Sequence, residues 1–179
     1  MDNITIEPNL NKRDVHPPGP FGAICVDIID LGMRVNEQYG KAAQSIVFVF
    51  KTSKGEVQSR DYSVSLAPLS NLKKFLEGWR GAKFTAEELG AKLTLASFQM
   101  KPAMISVEHS PSKSDPSKIY ANIGAIMPLP EGMPVPSADG YVRAPFWAEK
   151  KQRYADEFAA FMSAPPKDKI DESMDPVPF

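Results

Sequence analysis

The sequence predicts a mainly β protein with a helical insertion: a five-stranded barrel, partly open, followed by a C-terminal helix and a tail. Three observations predict it. Strand-period segments occupy residues 22–66 and 103–127, one switch to helical period separates the third from the fourth, and the pattern dissolves into proline after Met127.

Residues 1–20 are polar and finish in HPPGP, which reads as a loosely held N-terminal arm. The body spans 21–130. GAICVDIIDL, residues 22–31, is rich in β-branched side chains and stops at Gly32, so it reads as the first strand. A polar turn around Gly40 leads to QSIVFVFKT, residues 44–52, too apolar to be solvated on both faces. SKGE is a hairpin turn, and VQSRDYSVSL, residues 57–66, alternates as a third strand.

The period then changes. Ser70 or Asn71 caps a helix in which Leu72, Phe75, Leu76 and Trp79 recur at three-to-four-residue spacing until Gly81. Trp79 sits on that apolar stripe and reads as core, and Arg80 lies at the helix end, where a cation is favourable without any ligand. Thr85 with Glu88 makes a capping box for a short second helix. AMISVEH, residues 103–109, returns to strand, and the loop SPSKSDPSK precedes a last strand at 119–127. Three strands, a helix and two strands is the element order of an OB-fold; an unrelated α+β sheet has the same count. Residues 131–145 form a Pro-rich extended linker, 146–163 an amphipathic helix with Trp147, Tyr154, Phe158 and Phe161 along one stripe, and 164–179 a disordered acidic tail. The aromatic stripe either docks on the body or joins subunits in a homo-oligomer.

Composition narrows function. The net charge of −1 averages unlike parts: residues 21–130 carry thirteen Lys/Arg against ten Asp/Glu, whereas residues 167–179 carry two Lys against four acids. Cys25 is the single cysteine and only His16 and His109 accompany it, so neither an intrachain disulfide nor an ordinary zinc site is expected. No apolar run approaches a membrane span and the polar N-terminus is no signal peptide, which points to the cytoplasm. No phosphate-cradling glycine loop or nucleophile elbow is present. Asp27, Asp30 and Glu108 do not make a nuclease's metal triad, because Asp27 and Asp30 differ by an odd number on a strand. Glu108 and His109 read as edge residues. No catalytic residue, metal or cofactor is expected, and the chain is read as a non-enzyme.

The chain ends Asp175-Pro176-Val177-Pro178-Phe179, with Asp171 and Glu172 upstream. A terminal aromatic with its free carboxylate is a compact recognition group: the ring fills an apolar pocket, the carboxylate meets a cation, and the acids follow a basic rim. This end resembles the C-terminal tip of bacterial single-stranded-DNA-binding proteins, several aspartates followed by Ile-Pro-Phe. It departs in an inserted proline and more dilute acids. The resemblance implies a tip that recruits replication and recombination proteins, and that can compete with DNA for the basic body. A second resemblance rests on LAPLSNLKKFLEGWRGAKFTAEELG, residues 66–90, and on KIYANIGAIMPLPEGMPVP. These are similar to small phage and prophage proteins assigned to single-stranded-DNA binding, which implies DNA replication or recombination in a bacterial host cytoplasm.

Single-strand binding without sequence preference needs a basic groove and aromatic faces on which bases stack. Candidates are therefore aromatics beside Lys or Arg on strands and loops. They are Tyr39 with Lys41 in the first loop, and Phe48 and Phe50 near Lys51 and Lys54 at the hairpin. Arg60 and Tyr62 share a face of the third strand, as do Lys118, Tyr120 and Asn122 on the last, with Lys113 in the loop before it. Phe48 and Phe50 alternate with Val47 and Val49, and one of the two sets must fill the barrel. Tyr39 also serves as a simple turn residue. The rival function is a phage recombination or assembly adaptor that docks through its tail and has no affinity for DNA.

Overall fold

The structure, a computed structural model, describes residues 15–164. Its elements are β1 (Gly19–Asn36), β2 (Lys41–Thr52), β3 (Gly55–Gln58), β4 (Tyr62–Ser63), α1 (Asn71–Arg80), α2 (Ala86–Gly90), a 3-10 turn (Leu95–Phe98), β5 (Pro102–Pro111), β6 (Ile119–Met127) and α3 (Phe146–Ser163). One antiparallel sheet runs in the order β3-β2-β1-β5-β6, with β4 pairing β2 beyond β3. The protein is thus mainly β with a C-terminal helix, as the sequence predicts at that level.

β1 holds the sheet together. Its 18 residues pair with β2 along most of their length and with β5 only from Gly19 to Ile24. Two register shifts, between Cys25 and Asp27 and between Asp30 and Gly32, bend it between these partners. The predicted stop at Gly32 is therefore corrected. Gly32 takes φ 72° inside a bulge, where the Asp30 carboxylate accepts its N–H at 2.8 Å, and the strand continues to Asn36.

The expected third strand is broken. Ser59 to Asp61 stand opposite only Val47 and Phe48, one residue more than the ladder accommodates. The Ser59 hydroxyl accepts the Phe48 N–H at 3.0 Å, which satisfies the interrupted backbone. Beyond the bulge the side-chain parity flips, so Tyr62 joins Val57 on the core side. The edges β3 and β6 come within 8 Å, Cα to Cα, without ladder hydrogen bonds.

α1 forms as its spacing predicts. Ser70, not Asn71, is the cap and accepts the Lys73 N–H, while Gly81 ends the helix at φ 69°. Leu72, Phe75, Leu76 and Trp79 enter the core, and the Trp79 indole N–H donates to the Pro102 carbonyl at 2.9 Å. Thr85 and Glu88 make the predicted capping box of α2.

Both faces of β1–β2 are covered. On one, Phe48, Phe50, Tyr62, Phe75, Trp79 and Phe98 form an aromatic core with centroids 4.8–6.4 Å apart. On the other, Ile24, Val26, Ile29, Leu31, Val47 and Val49 pack under Trp147 and Tyr154 of α3. The aromatic stripe of α3 thus docks on the body through its first half. Phe158 and Phe161 are only half-buried, and Met162 is 66% exposed.

The segment expected as a Pro-rich extended linker is held against the body as a strap. Arg143 grips the Asp27 carboxylate through two bonds of 2.6 and 2.7 Å, and the Tyr141 hydroxyl donates to it at 2.6 Å. At the far end Asp61 accepts Lys150 at 2.7 Å and the Tyr154 hydroxyl. Proline keeps this chain extended, but long-range ion pairs fix it in place. The N-terminal arm is likewise shorter than expected: His16 is buried against Phe21 and β1 starts at Gly19.

Burial alone would raise the Asp27 carboxyl, but the Arg143 and Tyr141 bonds outweigh it and hold it below the ordinary carboxylate range. The sign follows: this stabilisation is fully present above the unfolded value of about 3.9 and fades as pH falls through the lower folded value. Asp27→Asn is therefore expected to lower the urea midpoint at pH 7 and to cost much less near pH 3. An equal loss at both pH values would contradict this account.

Candidate nucleic-acid interface

The predicted contact residues separate into three groups. Phe48 and Phe50 are 0% exposed and Tyr62 is 7% exposed, so none of the three offers a ring face to a base. For the phenylalanines this is a correction with a plain cause: α1 lies under their side of β2 and needs that apolar face. For Tyr62 the cause is the bulge at 59–61, which turns its ring inward while Arg60 stays outside. Burial also pushes the Tyr62 hydroxyl up to about 12, against the pull of Arg60.

Lys51 forms a second group by itself. It is half-buried and its Nζ donates to the Asp139 carbonyl, so it serves the strap.

The remaining candidates are exposed. Tyr39, 66% exposed, stands in the turn between β1 and β2, two residues before Lys41 opens β2. Lys54 stands in the β2–β3 turn. Lys113, Lys118 and Tyr120 lie on the hairpin of β5 and β6, which continues past the last β1–β5 pair, Gly19 with Val107, to Pro111 and Ile119. There, among the described residues, each strand's only ladder partner is the other, with the His109 Nε2 meeting the His16 carbonyl alongside, and Tyr120 is 53% exposed. Lys118, Tyr120 and Asn122 share the outer face of this hairpin, because Ala121 and Ile123 turn toward the core. A ladder bond from the Ser112 N–H to the Lys118 carbonyl holds Lys118 in register.

The sheet does not gather all of these at one end. Register puts Asn36 and Lys41 at the end of β1 remote from Gly19, so Tyr39 and the Tyr120 hairpin lie at opposite ends of that strand.

Charge separates the cations by role. Arg34 and Lys150 pair with Asp61, Arg143 with Asp27, Lys73 with Glu77 and Arg80 with Glu88. Among the described residues, Lys41, Lys54, Arg60, Lys74, Lys113 and Lys118 make no such pair. Asp115, the acid inside the hairpin loop, is turned onto Ser117. The paired cations hold the fold together, and the unpaired ones are free to meet an anion.

The sequence reading missed Lys74 and Asn71. Both project from α1 beside Arg60 into a cleft against β6, with Tyr62, Phe75 and Ile123–Ile126 as its other walls. Helical period marks Lys74 only as a polar-face residue; its neighbours across the cleft are remote in sequence. The acids considered for metal chemistry have partners: Asp27 holds Arg143, and Asp30 accepts Gly32 N–H and Gln44. Glu108 rests across Gly124, where a Cβ would come within 2.3 Å of its carboxyl group. Among the described residues His109 meets no acid; its Nε2 meets the His16 carbonyl at 2.7 Å. No helix among the described residues is long and apolar enough to cross a membrane. The tip residues Asp171, Glu172, Asp175, Val177, Pro178 and Phe179 lie outside the described residues.

Comparison with known proteins finds no family profile and no curated relative that matches this chain.

Proposed function

We propose that this chain binds single-stranded DNA without sequence preference, in phage DNA replication or recombination within a bacterial host, and that its acidic Pro-Phe end recruits partner proteins. The observation that carries this reading is the β5–β6 hairpin, which projects an exposed Tyr120 two residues from Lys118, with Lys113 in the loop beyond; among the described residues neither lysine is paired with a carboxylate. A ring and two free cations on a projecting ribbon is the combination that stacking plus phosphate contact requires.

We read the sheet as an OB-type barrel left partly open. β1 serves as the strand shared by β2 and β5, the β3–β4 segment counts as one broken third strand, and α1 follows it. The two free edges facing one another support that reading. In it the chain has no enzymatic role and needs no cofactor.

The modest excess of +3 over residues 21–130 favours the rival, a docking adaptor without DNA affinity. A fluorescence titration of oligo(dT), repeated across salt, separates them. Binding should weaken steeply with salt, with about 0.7 in the log–log slope per phosphate contact. No binding at low salt would sink the DNA reading. Removing Pro178 and Phe179 is expected to preserve or tighten DNA binding while abolishing capture of partners. Loss of DNA binding on that deletion would reverse the roles assigned to body and tail.

A further inference from the structure

A cleft of about 310 Å³ opens between α1, the β3–β4 break and β6. Arg60 and Lys74 line it with Asn71, Tyr62 and Phe75 form apolar wall, and among the described residues no carboxylate is part of its lining. Glu108, across Gly124, stands outside that lining. Both cations are exposed and, among the described residues, neither has an anionic partner. Two unpaired cations converging on one cleft repel each other, an arrangement that an anion relieves.

The opposite wall is backbone, presenting both N–H and C=O groups. β6 is an edge strand in the sheet, so alternate peptide groups of Ile123–Ile126 point away from β5. α1 can approach this edge closely because position 78 is glycine; a Cβ there would lie 3.0 Å from the Ile126 carbonyl oxygen.

β6 also links the cleft to the projecting hairpin. From Ile119 to Met127 its own side chains are uncharged, with the Glu108 carboxylate of β5 lying over Gly124, while Lys118 stands at its start and the Arg60–Lys74 cleft beside its end. At about 3.3 Å per residue, positions 118 and 125 are roughly 23 Å apart. The outer face of β1–β2, the other broad surface of the sheet, is closed by α3.

We infer that the α1–β6 cleft is a backbone-phosphate site, and that single-stranded DNA runs along β6 from this cleft to Tyr120. The inference rests on the DNA-binding reading above. A polyanion fits better than a lone carboxylate, because unpaired cations mark both ends of the strand rather than one pocket.

The test uses the full chain and oligo(dT) titrations across salt, comparing wild type with R60Q/K74Q and with K151Q. All three substituted side chains are exposed and unpaired, so each variant is expected to keep the wild-type melting temperature. R60Q/K74Q should weaken binding and lower the slope by about 1.4, two phosphate contacts at about 0.7 each. K151Q, on α3 against the other face of the sheet, should leave the slope unchanged. A wild-type slope in R60Q/K74Q would overturn the cleft assignment while leaving DNA binding intact. An acidic peptide ending in Pro-Phe that binds wild type but not R60Q/K74Q, with DNA slopes equal, would assign the cleft to a protein partner instead. Failure of wild type itself to bind oligo(dT) would overturn the functional reading and this path with it.

Discussion

Phe48→Ala is expected to destabilise the protein by about 3–5 kcal/mol, the usual range for removing a buried phenylalanine ring. Phe48 is fully buried and its ring lies 5.2 Å from Phe75, 5.9 Å from Trp79 and 6.3 Å from Tyr62. Truncation would therefore leave a cavity bordered by three large rings that cannot all collapse into it. The edge-to-face contacts with Trp79 and Tyr62 would go with it, each about 0.5–1.5 kcal/mol beyond simple burial, as would the tilted contact with Phe75. Urea unfolding followed by tryptophan fluorescence reads this directly, since Trp79 lines the site. A fall in melting temperature on the order of 10 °C is expected. The contrary result, weaker oligo(dT) binding with unchanged stability, would return Phe48 to the binding surface.

Ending the chain after Pro145 is expected to be more damaging still. It would strip Trp147 and Tyr154 from Ile24, Val26, Ile29, Leu31, Val47 and Val49, exposing a contiguous apolar face on β1–β2. Re-burial of such side chains is worth roughly 1.5–3 kcal/mol each, and exposed patches of this kind drive association. The same cut removes Lys150 and the Tyr154 hydroxyl from Asp61, leaving that carboxylate with Arg34 at 3.6 Å. The truncated chain should be largely insoluble and, where soluble, bind an apolar dye. Ending the chain after Ala164 keeps α3 and should stay soluble with the wild-type melting temperature. A soluble, cooperatively melting 1–145 fragment would mean that α3 is an appendage rather than part of the core.

The helices were legible because their signals are local. Trp79 and its partners recur at helical spacing, Thr85 and Glu88 are three apart, and α3 begins at the expected Phe146. The fate of Phe48 and Phe50 was not, because both sets along QSIVFVFKT are apolar. Alternation cannot choose a face when α1 covers one side and α3 the other. The pairing of Arg60 with Tyr62 failed differently: parity holds only while the ladder is regular, and one extra residue reverses it.

Of the candidate site, Lys113, Lys118 and Tyr120 were readable as a group, since a hairpin keeps sequence neighbours together in space. The cleft was not, because Arg60, Lys74 and Ile126 meet only when sheet and helix close on one another. By itself, then, the sequence determined the order of strands and helices, the capped α1 and the acidic Pro-Phe end. Tertiary structure alone decided which aromatics are hidden, that residues 131–145 are tied down by Asp27, and which cations remain unpaired. The physical reason is range: period and capping act over a few residues, whereas burial and ion pairing depend on partners tens of positions away.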